Sequence, residues 1–440
     1  MDMGLKLNNL SSDNTEYASF DKQTIGLGKP WRATPQELQW FRDAKFGLFI
    51  HWGAISIAGG DISWCRDAKR PFDINDELLP SDDGAGKLLV PVDEYDNLYR
   101  EFNPVKFDAE QWVQIAQDAG MKYLVFTAKH HDGFSNFHTQ YSDYNIANTP
   151  FKRDIVRELA DACHNGGLRF GIYYSQRDWY HKDYLQGDNS KYNKFMHDQL
   201  RELLTNYGNV DILWFDSFGE SDLEKDWDIE GILTMARSLQ PGILINNRLS
   251  ILADYNDGPE KFWGDFDTPE QRIGNYQLDR PWESCLTLVG DQWSWMPGGK
   301  MFTFEECVRS LVLSACGGGN LLLNVGPMPN GEIEDRQVMR LKEIGNWLAE
   351  NGDSIYATSA GPVMPLNWGG STRRDDTVYI HVLNYNGASI ELGQFPQIHS
   401  HRVLTGGNAL VRQRADSTEI KLDNLGLNRS DIIIKLSIGH

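Results

Sequence analysis

The stretch Asp211-Ile-Leu-Trp-Phe-Asp-Ser-Phe-Gly-Glu220 decides how this chain is read. Residues 212–215 are an apolar run with the length of a short buried strand, and the run stops at the carboxylate of Asp216. A carboxylate where a buried strand leaves the core either anchors the next turn, the commoner case for a single strand-end Asp, or carries chemistry. The text on either side has to separate the two.

Upstream, helix 191–207 is closed by Gly208, strand 168–174 ends in Ser175, and helix 153–165 is closed by Gly166-Gly167. Before these, strand 123–128 runs into Lys129-His130-His131-Asp132-Gly133-Phe134, and helix 107–120 carries Trp112, Val113, Ile115 and Ala116 on its apolar side. The first strand, 46–50, ends in His51. Downstream come helix 229–239 and strand 243–245, which leads into Asn246-Asn247-Arg248. Two strand-like pieces between 262 and 289 carry Glu270 and Glu283 without a helix between them. Helix 304–315, strand 320–326 and an amphipathic helix with Val338, Leu341, Ile344, Trp347 and Leu348 on one face follow. Helices alternating with buried strands predict a parallel α/β sheet, and about eight strands suit an irregular (β/α)8 barrel with some helices missing.

After Tyr356 the text becomes a series of short β-rich runs such as 378–383 and 432–434, with Asn386-Gly387 placed as a hairpin turn. The expected organisation is an N-terminal arm over 1–30, a (β/α)8-like catalytic domain over 31–356, and a small β-sandwich over 357–440. A loop of mixed Asp, Pro and Gly over 59–90 interrupts the first domain, and loops of that length are more often functional than idle.

Composition removes several classes of function. Lys+Arg 42 against Asp+Glu 62 gives a net charge of −20, which repels phosphate backbones and anionic membrane surfaces, so nucleic acid is not an expected partner. The five cysteines never stand as Cys-x-x-Cys, which argues against a zinc knuckle and leaves buried thiols. The start, Met1-Asp-Met-Gly-Leu-Lys, lacks a basic segment followed by an apolar one, and no apolar run of about 18 residues occurs. The expectation is a cytosolic protein, or a mature periplasmic or secreted chain whose signal has been removed, with no membrane insertion. Oligomeric state is not legible. Fourteen tryptophans offer flat apolar rings of the kind that stack on sugar faces, although most such rings fill cores.

If the barrel is right, every strand's C-terminal end faces one rim, and the polar residues there share one pocket. They are His51, His130, His131, Tyr173, Asp216, Arg248, Glu270 and Glu283, with Trp64, Trp214 and Trp295 close by in sequence. Two chemistries compete for them. Metal-dependent hydrolysis needs convergent His and Asp ligands, but His51 lacks a second His two residues on, and adjacent His130 and His131 in extended backbone point opposite ways. Glycoside cleavage needs only two carboxylates and no cofactor.

Taken together, Lys45-Phe-Gly-Leu-Phe-Ile-His-Trp-Gly53, Ala119-Gly-Met-Lys-Tyr123, Thr127-Ala-Lys-His-His-Asp-Gly-Phe134, Gly171-Ile-Tyr-Tyr-Ser175, Trp214-Phe-Asp216 and Gly319-Asn-Leu-Leu-Leu-Asn-Val-Gly-Pro327 closely resemble glycoside hydrolase family 29, the α-L-fucosidases. The resemblance covers roughly residues 30–360 in the right order. It implies a retaining (β/α)8-like catalytic domain followed by a β-sandwich, acting on fucosylated oligosaccharides or glycoconjugates without cofactor or metal. It implies that Asp216 is the nucleophile forming a covalent fucosyl-enzyme. The acid/base is Glu270, in Gly264-Asp-Phe-Asp-Thr-Pro-Glu270, or Glu283, in Pro281-Trp-Glu-Ser-Cys285, with Glu270 favoured by its segment and Glu283 otherwise a supporting residue. His51, Trp64, His130, His131, Tyr173, Trp214 and Arg248 would hold the sugar, and Trp295 would lie beside its methyl group. Where many members carry Glu-Trp after the first strand, this chain has Ser63-Trp64, so a related sugar such as α-L-galactose is the alternative substrate.

Overall fold

The computed structural model describes residues 32–67, 88–216, 227–249, 264–290, 292–425 and 430–439. The expected arm at 1–30 and the middle of the expected 59–90 loop lie outside them. Seven parallel strands form one curled sheet: β1 (Phe46–Ile50), β2 (Tyr123–Lys129), β3 (Arg169–Tyr174), β4 (Ile212–Phe215), β5 (Leu244–Ile245), β6 (Glu283–Thr287) and β7 (Asn320–Val325). They lie in the order β5-β4-β3-β2-β1-β7-β6. Helices Ala109–Asp118, Ile155–Gly166, Ser190–Asn206, Ile229–Leu239, Phe304–Cys316 and Asp335–Asn351 alternate with them along the chain. Asp108 and Asp154 cap two of these by accepting backbone N–H groups in the first turn, the orphan donors that every helix start must satisfy.

The eighth strand expected around Glu270 does not form. Edges β5 and β6 are instead joined by isolated parallel bridges, Asn246 with Phe266 and Asp267 with Trp282, and Glu270 bridges Cys285. Pro269 has no N–H to give a ladder. Asp265 and Asp267 turn to Arg237 and Arg280, at 2.5 and 2.7 Å. The barrel therefore closes through a tethered segment in place of a strand.

Inside the barrel, Phe49, Tyr123, Val125, Tyr173, Ile212, Trp214, Leu244, Phe266, Cys285 and Leu322 make one core. Helix Pro35–Ala44, begun by a Thr34/Glu37 capping box, plugs its lower end with Phe41, whose ring centre lies 4.6 Å from that of Phe266. A second, larger apolar layer packs the sheet against the outer helices. All five cysteines are buried free thiols. Among the described residues no helix is long and apolar enough to cross a membrane.

The C-terminal part is antiparallel. One sheet contains Ser359–Ala360, Gly369–Arg374, Thr377–Val382, Ile432–Ile438 and Ile398–Val403, and the other Ile390–Glu391, Thr418–Asp423 and Asn408–Gln413. Val378, Ile380, Ile434 and Leu436 of the first share a core with Ile390, Ile420 and Leu422 of the second, which makes a sandwich. Asn386-Gly387 is not a hairpin turn. It lies between Thr377–Val382 and Ile390–Glu391, which pair in different sheets. Turn chemistry reveals a reversal but not the partner strand.

Gly47 is paired with Tyr123 in the β1–β2 ladder, and a Cβ at Gly47 would come 2.4 Å from the Tyr123 ring. Gly47→Ala should lower stability by about 1–3 kcal/mol through overpacking, read as a lower urea midpoint at an unchanged m-value.

Candidate active site

The C-terminal ends of the strands deliver their polar residues to one pocket of about 170 Å³. β1 supplies His51, β2 leads into His130 and His131, β3 carries Tyr173, and β4 carries Trp214 and ends at Asp216. Arg248 follows β5, and the tethered segment brings Glu270.

The end of β4 is fixed by side chains that stand in for missing backbone partners. The Asn246 amide accepts from Phe215 N–H and donates to Phe215 C=O, both at 2.8 Å. Gln176 Oε1 accepts from Asp216 N–H at 2.9 Å. Asp216 is thereby held although the ladders stop before it, β3 ending at Tyr174 opposite Phe215 and β5 at Ile245 opposite Leu213.

Arg248 organises the acidic pair. Its Nη1 lies 2.8 Å from Asp216 Oδ1 and 2.8 Å from Glu270 Oε2, so these two oxygens are within 5.6 Å of each other. Nε donates to Thr268 Oγ1 and Nη2 to Thr268 C=O, at 2.8 and 3.0 Å, and the guanidinium lies 4.6 Å from the Trp214 ring centre. Tyr173 donates to Asp216 Oδ2 at 2.8 Å, and His131 Nε2 lies 3.6 Å from the same oxygen. Asp216 is 18% exposed and Glu270 41%.

These contacts set the charges. Burial by itself raises the Asp216 carboxyl, but Arg248 and the hydrogen bonds from Arg248 and Tyr173 outweigh it and hold its pKa below the ordinary value. His51 is pushed down to about 4, mainly by burial. Burial, then the neighbouring His131, pushes His130 well down; burial, then Arg177, does the same to His131. An anionic carboxylate thus faces three neutral imidazoles.

Trp64 also lines the pocket. Two residues expected there do not. Glu283 is fully buried in the barrel interior, where Trp214 Nε1–H and Tyr123 O–H donate to its two oxygens at 2.8 and 2.7 Å. It is the first residue of β6, paired with Asn320 at the start of β7, and so lies far down the strand from the rim. Trp293 lines the pocket in place of Trp295. Trp293 N–H donates to Asp61 at 2.9 Å and its C=O accepts from Asn324 at 2.6 Å, and its ring centre stands 4.8 Å from that of His51. Arg177 and Phe49 complete the lining without having been singled out in the sequence. Phe49 was legible by alternation, since it is two residues from His51 on β1.

Among the described residues, one trio has ligand atoms close enough to share a cation: His130, His131 and Asp216, all within 4.8 Å. Both Asp216 oxygens already accept hydrogen bonds, one of them from a guanidinium whose charge would repel a divalent ion.

The Alpha-L-fucosidase family model matches residues 19–353. The chain is similar to the plasma alpha-L-fucosidase of Homo sapiens, 32% identical over 79% of this chain and 76% of that one. It is also similar to the alpha-L-fucosidase of Branchiostoma floridae, 30% identical over 80% of this chain and 81% of the other. Among solved structures, alpha-L-fucosidase isoenzyme 1 from Paenibacillus thiaminolyticus superposes with a TM-score of 0.78 at 33% identity, covering 92% of this chain and 99% of that one. A GH29 alpha-L-fucosidase from Bacteroides thetaiotaomicron, trapped as a covalent intermediate with 2-fluoro-fucosyl fluoride using a Glu-to-Gln mutant, gives a TM-score of 0.81 at 27% identity over 95% and 99%.

Burial pushes the Glu283 carboxyl up to about 7 from its ordinary 4.5. A folded pKa above the unfolded one means that the folded state binds more protons, so this group costs stability as pH rises from 4.5 to about 7, and the cost is constant above. Glu283→Gln, which still accepts from Trp214, should remove that fall, so the melting temperature of the variant should gain on wild type between pH 5 and pH 7.

Proposed function

The chain belongs to the α-L-fucosidase family, and from that premise we propose that Asp216 is the nucleophile and Glu270 the acid/base of a retaining exo-α-L-fucosidase. The observation that carries the assignment is the shared guanidinium. Two carboxylate oxygens that share Arg248 Nη1 lie no more than 5.6 Å apart, a close pairing that supports the retaining arrangement, in which the carboxyls stand about 5–5.5 Å apart, over the roughly 6.5–9.5 Å of an inverting pair.

In the first half-reaction an Asp216 oxygen attacks the anomeric carbon as Glu270 protonates the departing glycosidic oxygen. The C–O bond to the aglycone breaks, and a fucosyl ester of Asp216 forms. In the second, Glu270, now a carboxylate, takes a proton from water whose oxygen displaces Asp216 at the same carbon. The low proton affinity of Asp216 suits a nucleophile that must be ionised at working pH.

The pocket's size supports removal of single terminal residues. About 170 Å³ is below the range of roughly 300–1,000 Å³ usual for drug-sized ligands and suits one sugar ring. His51, His130, His131, Tyr173, Arg248 and the Trp64 indole offer polar groups to ring hydroxyls, while Phe49 and Trp293 supply the apolar wall for a C6 methyl, the part expected of Trp295. The substrate class is accordingly a fucosylated oligosaccharide or glycoconjugate.

Purified protein should release p-nitrophenol from its α-L-fucoside and not from other aryl glycosides; cleavage of another sugar without the fucoside would overturn the assignment. EDTA should leave that turnover unchanged, since no step uses a cation. Asp216→Gly should abolish turnover, with exogenous azide restoring release of activated aryl groups. Glu270→Gln should cost about 10²–10⁴-fold on substrates with poor leaving groups and far less on activated aryl fucosides, with azide again assisting. Turnover of a fucosylated oligosaccharide by Glu270→Gln near the wild-type rate would transfer the acid/base role elsewhere.

A further inference from the structure

His130 and His131 turn their Nδ1 edges to the pocket wall, and each meets a fully buried serine there. Ser63 Oγ lies 2.6 Å from His130 Nδ1, and Ser175 Oγ lies 2.6 Å from His131 Nδ1. Each serine oxygen also accepts a backbone N–H, from Asp132 at 2.8 Å and from Arg177 at 3.0 Å. A hydroxyl has one proton to give. Among the described residues, the acceptor in reach of Ser63 is His130 Nδ1. For Ser175 it is His131 Nδ1 at 2.6 Å in preference to Asp216 C=O at 3.4 Å.

We propose that Ser63 and Ser175 are positioning residues that fix His130 and His131 in the Nε2–H tautomer, so that both rings present hydrogen-bond donors to the pocket. The geometry at Asp216 agrees, because His131 Nε2 stands 3.6 Å from a carboxylate oxygen, where a proton is favourable and a lone pair is not. His51 is set the opposite way. Asn324 Nδ2 donates to Trp293 C=O, so Asn324 Oδ1 must accept from His51 Nδ1–H at 2.7 Å, which leaves Nε2 as an acceptor. A hydroxyl between His51 and His130 then donates to the first and accepts from the second. An ammonium or a fluorine at that place satisfies only one of them.

Ser63 is itself rigidly placed. Its backbone is left-handed, with φ of 60°, its N–H donates to Tyr95 Oη at 2.8 Å, and Tyr95 donates to Asp132 Oδ2 at 2.5 Å. A hydroxyl locked in this ring of contacts holds its proton direction as well as its position.

The consequence for a sugar rests on the fucosidase reading, but the tautomers do not. Long-range ¹H–¹⁵N spectra of ¹⁵N-histidine protein at neutral pH, assigned with His130→Gln and His131→Gln, read the protonated nitrogen directly and without ligand. Both rings of the wild type should show a protonated Nε2 and a bare Nδ1; Nδ1 protonation of either overturns the proposal, whether or not any fucoside is cleaved. Ser63→Gly, which removes the hydroxyl and tolerates the left-handed backbone, should lose the fixed Nε2–H signature of His130 and lower kcat/KM about tenfold, mostly through KM. Ser175→Ala should do the same at His131, and Ser175→Thr should restore the signature. A folded Ser63→Gly with the wild-type His130 spectrum would also overturn it.

Discussion

Arg248 is the constraint on which the site and much of the barrel interior depend. A guanidinium 3% exposed is costly to desolvate, and it is stable here because two carboxylates, the Thr268 hydroxyl and carbonyl, and the face of Trp214 surround it. Each partner is held in turn. Trp214 is fixed from below by Glu283, Glu283 is shared with Tyr123, and Tyr123 fits inside the barrel because its neighbour across the ladder is Gly47. One continuous path of contacts runs from the barrel floor to the carboxylates at its rim, and stacked Tyr173 and His130 extend it sideways.

That path also distributes charge. Glu283 is a buried carboxyl served by neutral donors alone, and its pKa rises; Asp216 is nearly as enclosed but touches a cation, and its pKa falls. The difference arises from the partners and not from depth. It also supports the roles proposed for the two, because a carboxyl that resists ionisation makes a poor nucleophile and a serviceable structural acceptor. Neutral histidines complete the arrangement. Charged ones would compete with Arg248 for Asp216 and bring a desolvation cost of their own.

Much of this was legible in the sequence wherever a regular strand ended. Asp216, His51, His130, His131 and Arg248 follow apolar runs, and topology carries every such end to one rim. Legibility failed where backbone became irregular. Glu283 precedes its apolar run, which puts it at the bottom of β6, and that order was readable; the choice between Trp293 and Trp295 was not, because it turns on long-range contacts of the Trp293 backbone with Asp61 and Asn324. Asn246 and Gln176 were likewise silent. Their amides replace backbone partners only once β4 and β5 lie side by side. The Asn386-Gly387 turn was visible as a reversal, but which sheet the next strand joins depends on packing across the sandwich.

Among the described residues no eighth strand forms around Glu270, and this suits the roles proposed for the two carboxyls. The proposed nucleophile must arrive at one carbon along one line, and Asp216 follows a strand whose last two residues pair with β3 alone, its own N–H held by Gln176. An acid/base must reach a departing oxygen first and a water molecule later, so it needs solvent access and some side-chain freedom. Glu270 is more than twice as exposed as Asp216, and its backbone is tied on both sides, with Cys285 N–H donating to Pro269 C=O and Gln271 N–H donating to Cys285 C=O. Bridges at these two points fix where the segment lies without drawing its side chains into a ladder that alternates strictly between core and surface. The irregular closure therefore gives the two carboxyls one shared cation and two different exposures, which suits the roles proposed for them.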